Sequence, residues 1–195
     1  MDSLHPKQGA YEAQRAQANR QELVERIARA IRDDGRVELL NGLFLNRSSA
    51  PTKPAHGVST PAFCVIAQGS KELFFGEERY QYDPEHYLLT TVELPVVSQV
   101  LEASGEHPYL GVRVRLDPTL VGAVLVEANL PVPPGHGDVK AMDTSRLDAS
   151  LLDAVVRLVR LVDSPTEAQV LAPLVKREII ARIYMENLCI LFGSF

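Results

Sequence analysis

Between residues 62 and 92, AFCVIAQGSKELFFGEERYQYDPEHYLLTTV, apolar and polar positions alternate so quickly that only short strands fit. Phe63, Val65 and Ala67 alternate with Cys64, Ile66 and Gln68, the two-residue period that sends successive side chains to opposite faces of a sheet. Gly69-Ser70 predicts a turn and Lys71 to Phe75 the returning strand. Gly76-Glu77 closes a second tight turn, after which Tyr80 and Tyr82 share one face of a strand and Arg79 and Gln81 the other. Asp83-Pro84 breaks the run, and an extended segment follows from His86 to Thr91. Pro95 to Ala103 and Tyr109 to Leu116 continue the series. In the latter, Leu110, Val112, Val114 and Leu116 alternate with Gly111, Arg113 and Arg115. Upstream, Val37 to Asn46 reads as a first strand interrupted at Asn41-Gly42, and Arg47 to Thr60, with its Ser, Pro and Gly, as a loop. Strands this short and closely spaced predict an antiparallel barrel or sandwich.

Helical periodicity brackets the strands. Residues 1–18 are polar and read as frayed; Asn19 and Glu22 then have capping-box spacing. Leu23, Ile27, Ala30 and Ile31 repeat at helical intervals until Asp33-Asp34-Gly35. Thr119 to Asn129 fits a short helix or a further strand, and Leu130 to Asp138 (LPVPPGHGD) is a proline-rich connector. Beyond it, Leu151, Leu152, Val155, Val156, Leu158, Val159 and Val162 leave only Asp153, Arg157 and Arg160 on the polar side. A face that wide needs cover on two sides, the barrel and a second subunit. Leu151, Val155, Leu158 and Val162 are therefore the candidate dimer interface. Ser164-Pro165-Thr166-Glu167 starts another helix, giving an αα-hairpin in which Pro173 is expected to kink or restart the second arm. The apolar run Leu188-Cys189-Ile190-Leu191-Phe192 is expected to be buried or to form an interface. The chain divides into an N-terminal arm and helix (1–36), a barrel (37–130) and a linker with a helical segment (131–195). At 195 residues these make one structural domain.

Composition narrows the partners. The formal charge is −5 with a pI near 5.6, and even residues 1–36 carry seven Lys/Arg against six Asp/Glu. A domain that grips nucleic acid by itself usually shows a basic face, so this chain alone is a poor DNA binder. Cys64 and Cys189 have no metal-type spacing and read as buried thiols in a reducing cytoplasm. The polar N-terminus MDSLHPKQGAYEAQ has no apolar signal region, and no stretch approaches the ~20 apolar residues that cross a bilayer. A cytoplasmic protein without a membrane partner is expected.

Catalytic chemistry is not evident. His5, His56, His86, His107 and His136 form neither H-x-H nor H-E-x-x-H, and there is no G-x-S-x-G elbow or phosphate-cradling glycine loop. His56 reads as a solvated loop residue, and Asp83, Glu85 and His86 as a strand-edge turn. Catalytic residues, metal ligands and cofactors are accordingly assigned as none. Phe63, Phe74, Phe75, Tyr80, Tyr82, Tyr87 and Tyr109 concentrate in the barrel. A small barrel holds one small ligand in its mouth, and tyrosine offers both a ring and a hydroxyl. Candidate pocket residues are Tyr80, Tyr82, His86, Tyr109 and Arg113; which of them face inward depends on strand register.

PAFCVIAQGSKELFFGEERYQYDPEHYLLTTVELPVVSQV, followed by HPYLGVRVRLDP, resembles the N-terminal domain of AraC-type transcriptional regulators. SRLDASLLDAVVRLVRLVDSP and LAPLVKREIIARI are similar to the helical close of that domain, so the resemblance covers roughly residues 36–184. It implies a mainly β fold, a cupin-like antiparallel jelly-roll barrel followed by an αα-hairpin, with an N-terminal helix in front. It also implies a bacterial regulator's domain that senses a small-molecule effector, pairs as a homodimer, and controls transcription through a separate DNA-binding domain. Two departures stand out. Metal-binding cupins often carry a histidine after a proline such as Pro95, where Val96, Val97 and Ser98 stand here. The family's DNA-reading part, with two helix-turn-helix units, is expected shortly after Ile183, and the tail MENLCILFGSF does not resemble its opening. The alternatives are a stand-alone cupin enzyme, an isomerase or dioxygenase, and a truncated regulator acting by mixed dimerisation.

Overall fold

The computed structural model describes residues 5–129 and 140–192, with side chains from 9 to 129 and from 140 to 186. Helix α1 (His5–Ala30) precedes nine strands: β1 (Gly35–Leu40), β2 (Leu43–Ser48), β3 (Ala55–Ser59), β4 (Ala62–Gln68), β5 (Ser70–Phe75), β6 (Glu78–Tyr82), β7 (His86–Thr90), β8 (Leu94–Glu102) and β9 (Tyr109–Arg115). Helix α2 (Pro118–Glu127), strand β10 (Met142–Arg146), helix α3 (Ala149–Arg160), a 3-10 turn (Leu161–Asp163) and helix α4 (Pro165–Phe192) complete the chain. The strands form a six-stranded sheet in the order β1-β2-β9-β4-β7-β10 and a four-stranded sheet in the order β3-β8-β5-β6. Every pairing is antiparallel. This is the antiparallel arrangement that the alternation predicts, and the jelly-roll-like fold with flanking helices that the family resemblance implies.

The strand period divides the core in two. Phe63, Val65 and Ala67 of β4, with Leu110, Val112 and Val114 of β9 and Leu43 and Leu45 of β2, pack outward against helices α1, α3 and α4. The intervening Ala62, Cys64 and Ile66 point the other way, into a second cluster with Leu73, Tyr82, Leu88, Val96, Val100, Tyr109 and Met142 between the sheets. The central strands β4, β7 and β9 of the six-stranded sheet are therefore buried on both faces. That explains the near-continuous apolar reading of β4, in which only Gln68 escapes full burial.

The chain passes from one sheet to the other at Gly69, where φ is +85° and an added Cβ would lie 2.4 Å from the Glu102 carbonyl oxygen. Only glycine fits a corner this tight in that conformation.

Several elements differ from their sequence-based expectation. Helix α1 runs through Asn19 rather than starting there. The Asn19 amide donates to Asp153 Oδ1 at 3.4 Å instead of capping a helix, because packing on α3 extends the helix beyond its own start signal. Val37 to Asn46 is a hairpin of two strands about Asn41-Gly42. The predicted loop 47–60 contains β3, a mostly exposed edge strand whose His56 faces Val97 across the ladder. Strand β10 went unpredicted: MDTSR has one fully buried position, Met142, which joins the core between the sheets, and it is held in place by pairing with β7. Helix α4 continues through Pro173. The connector 130–138 and the side chains of the tail run 188–192 lie outside the described residues.

The candidate dimer face also needs correcting. Leu151, Val155 and Leu158 are 0% exposed within the single chain, and Val162 packs on the same cluster. Their cover comes from α1 and α4 as well as the sheet, so no open side of α3 is left for a second subunit. Ion pairs fasten α1 there: Arg160 and Arg26 both reach Glu22 at 2.6 Å, and Arg26 and Arg29 meet Asp163 at 2.6 and 2.7 Å. Such half-exposed pairs contribute at most about 1 kcal/mol each; the apolar stripe Leu23, Ile27 and Ile31 dominates. Among the described residues no helix is long and apolar enough to cross a membrane.

Where α4 passes the barrel, Tyr87 donates to Glu186 Oε2 at 3.5 Å. Burial first, and then the neighbouring Asp148, push the Glu186 carboxyl up to about 7. Asp148, the α3 N-cap that accepts from the Leu151 amide at 2.6 Å, is lowered: burial works against its charge, but hydrogen bonds from Glu186 and that amide prevail. The two carboxyls thus share one proton. Because the folded Glu186 value is raised, its contribution to stability is complete below about 4.5 and is lost as pH rises through about 7. Thermal unfolding followed against pH should show wild type losing stability relative to Glu186→Gln across that window. Parallel curves for the two proteins would contradict the assignment.

Candidate functional site

The barrel lumen, the interior between the sheets, is packed with the inward-facing residues of both. Register places Arg113 of β9 opposite Cys64 on β4 and opposite Phe44 on β2. Across the barrel, Lys71 of β5 is opposite Tyr82 on β6 and Val100 on β8. Arg36, on β1 next to β2, lays its guanidinium 4.2 Å from the Phe44 ring centroid, a cation–π contact that fixes an otherwise free side chain. Arg113 donates through Nη2 to the Thr60 carbonyl at 2.7 Å and hydroxyl at 2.8 Å, and its Nη1 lies 3.7 Å from Cys64 Sγ. Its Nε is buried and finds no acceptor among the described residues.

At the floor, Tyr82 and Tyr109 are 4% and 5% exposed, and the Tyr82 hydroxyl donates to that of Tyr109. Burial pushes both phenols well above their ordinary range, and each also feels Cys64. Tyr109 lies flat across Gly111 on the same strand face, its hydroxyl only 2.6 Å from where a Gly111 Cβ would stand. Any larger residue at 111 collides with the ring. Burial lowers the Lys71 ammonium below its ordinary value; Arg113 and Arg36 lower it further, against an opposing pull from Cys64. Arg36 is likewise lowered, first by burial and then by Arg113.

Of the five candidate pocket residues, the fold brings Tyr82, Tyr109 and Arg113 together. Tyr80 is half-buried at the edge of the same cluster, its hydroxyl bonded to Glu78, which pushes its pKa up to about 12. His86 stands apart, paired with Asp83 at 2.8 Å in the β6–β7 turn. The sequence reading missed Lys71, Arg36, Cys64 and Phe44. Lys71 alternates with Leu73 and Phe75 on one strand face, but only the register shows that this face is the inward one. Arg36 was hidden by a strand start placed two residues too late. Among the described residues, no three His, Cys, Asp or Glu side chains gather as a metal ion requires. The fold thus brings three cations close to two buried phenols.

Residues 39–188 match the family described as the AraC-type transcriptional regulator N-terminus. The chain belongs to that family, and this part of it is a regulator's N-terminal domain. In structure it is similar to a crystal structure of an apo ToxT lysine-to-alanine variant from Vibrio cholerae, with a TM-score of 0.53 at 8% identity over 79% of this chain. The chain covers 60% of that protein's length. No curated protein matches it in sequence.

Gly111→Ala should push the Tyr109 ring off its seat and cost about 1–3 kcal/mol in urea unfolding, as overpacking does. Gly57→Ala, which meets open space, should change stability by no more than about 0.5 kcal/mol. Equal stability of the two variants would mean that Tyr109 has a second place to go.

Proposed function

We propose that this domain senses a small molecule in the barrel lumen, pairs with a second copy, and passes the occupancy signal through its helices to a DNA-binding segment of a bacterial, cytoplasmic regulator. The observation that supports it most is the two-sided use of β4 and β9. Cys64 and Arg113 touch the lumen, while Phe63, Val65, Val112 and Val114, their immediate neighbours, carry the helices. A ligand among the first set is one backbone thickness from α1, α3 and α4. A close-packed interior passes small displacements on. Coupling requires only that the ligand prefer one helix arrangement over another, and couplings of about 1–3 kcal/mol are typical. With α3 covered, the pairing surface shifts to α4, where Val170, Leu171 and Leu174 are 66%, 41% and 57% exposed.

A metabolite library screened by thermal shift tests the sensing claim. Hits should lose their effect in Val100→Phe, which fills the lumen opposite Lys71 and leaves the surface untouched. Hits that stabilise this variant as well as wild type would place binding elsewhere and end the proposal.

A further inference from the structure

Within the proposed sensing lumen, the distribution of charge says what kind of molecule fits. Arg36, Lys71 and Arg113 arrive from three strands in two sheets, and they lie close enough for Arg113 to bear on both of the others and for Arg36 to bear on Lys71. Among the described residues no carboxylate comes within ion-pair distance (4.0 Å) of any of the three. The cations Arg113 and Arg36 both disfavour the Lys71 ammonium, and no carboxylate stands among the causes of its shift. Glu38 is the one carboxylate that bears on Arg36, and it is already engaged: its Oε1 accepts from the Gly42 amide at 2.7 Å and faces Arg115 at 3.7 Å.

Elsewhere most described cations are paired, although Arg32, Lys53, Arg146 and Lys176 meet no carboxylate among the described residues. Arg15, Arg20, Arg26, Arg29, Arg47, Arg79, Arg157, Arg160, Arg177 and Arg182 each meet a carboxylate. Lys71 and Arg113 are partly buried, and Arg36 lies exposed on β1 beside them. A protein of net charge −5 thus holds three neighbouring cations without a counter-ion against their mutual repulsion. Burying charge without a partner costs free energy, and the cost is recovered when an anion supplies the missing charge. The Arg113 Nε without an acceptor is a further donor that the fold leaves unsatisfied in the same place.

We propose that the effector is a small organic oxyanion, a carboxylate or phosphate. Its charged head sits among Arg36, Lys71 and Arg113 and its apolar body lies on Tyr82 and Tyr109. The assignment rests on the sensing reading above and deepens it. Lys71 is the residue that distinguishes a ligand-binding role from a structural one. Its amine makes no hydrogen bond among the described residues, so its removal breaks no contact in the free domain. In Lys71→Met the free domain should therefore be more stable than wild type, because a desolvated, repelled cation is gone, while anion binding weakens about tenfold, the size of one charged hydrogen bond.

Calorimetric unfolding of the whole chain tests this with three probes of one shape at matched ionic strength: benzoate, phenyl phosphate and the neutral benzamide. Benzoate, phenyl phosphate or both should raise the wild-type Tm where benzamide does not, and the preferred head names the anion. Lys71→Met should start from a higher Tm and respond about tenfold more weakly, while Arg29→Met, at the distant helix clamp, keeps the wild-type response. If benzamide stabilises as well as benzoate, or if Lys71→Met binds the anions like wild type, the oxyanion assignment is overturned but lumen sensing stands. If no probe shifts the Tm, the oxyanion assignment is likewise overturned, and the sensing reading is decided by the library screen on Val100→Phe.

Discussion

The structure depends on one constraint, the two-residue period of β4 and β9, strands buried on both faces. Each residue in these strands belongs either to the helix-facing core or to the lumen, and its neighbour belongs to the other. Phe63 and Val65 contact the helical layer and Cys64 the lumen, with Val112 and Val114 flanking Arg113 in the same way. A one-residue slip would carry Arg113 into the helical core and Phe63 into the lumen, so burial fixes the register far more firmly than hydrogen bonding alone. Gly69 fixes the other end of the arrangement by letting the chain cross between sheets beside the Glu102 carbonyl.

Much of this was legible in the sequence. The apolar run of residues 62–68 and the alternation of residues 109–116 showed both strands, and the dense turn signals between them predicted a barrel. The C-terminal hairpin could be read from the wide apolar face of α3 and the start signal at Ser164-Pro165. What was not legible was set by tertiary contact. Strand β10 has no apolar pattern of its own and exists by pairing with β7. Helix α1 passes its apparent cap at Asn19 because Asp153 on α3 binds that side chain. The same blindness affected α3, since a face too wide for one layer looked like an interface when α1 and α4 were its cover.

The site shows the same division. Tyr82, Tyr109 and Arg113 were recognisable as aromatic and cationic residues on short strands. Lys71 looked like an ordinary solvent-facing residue beside a turn, and only the pairing with Tyr82 and Val100 shows that it points inward. Consistency between local pattern and global fold breaks at these inward cations. Such breaks are expected where stability has been given up for binding.

The account stands on communication between the lumen and the helices through a shared pair of strands. Amide hydrogen exchange, measured on the free chain and on the chain saturated with its best-stabilising ligand, tests this most directly. The prediction is altered protection in α3 and the adjoining part of α4, around Leu151 to Val159 and Ile179 to Ile183, with the distant edge strand β3 unchanged. Changes confined to the lumen strands, with both helices exchanging as before, would show that the barrel binds without signalling.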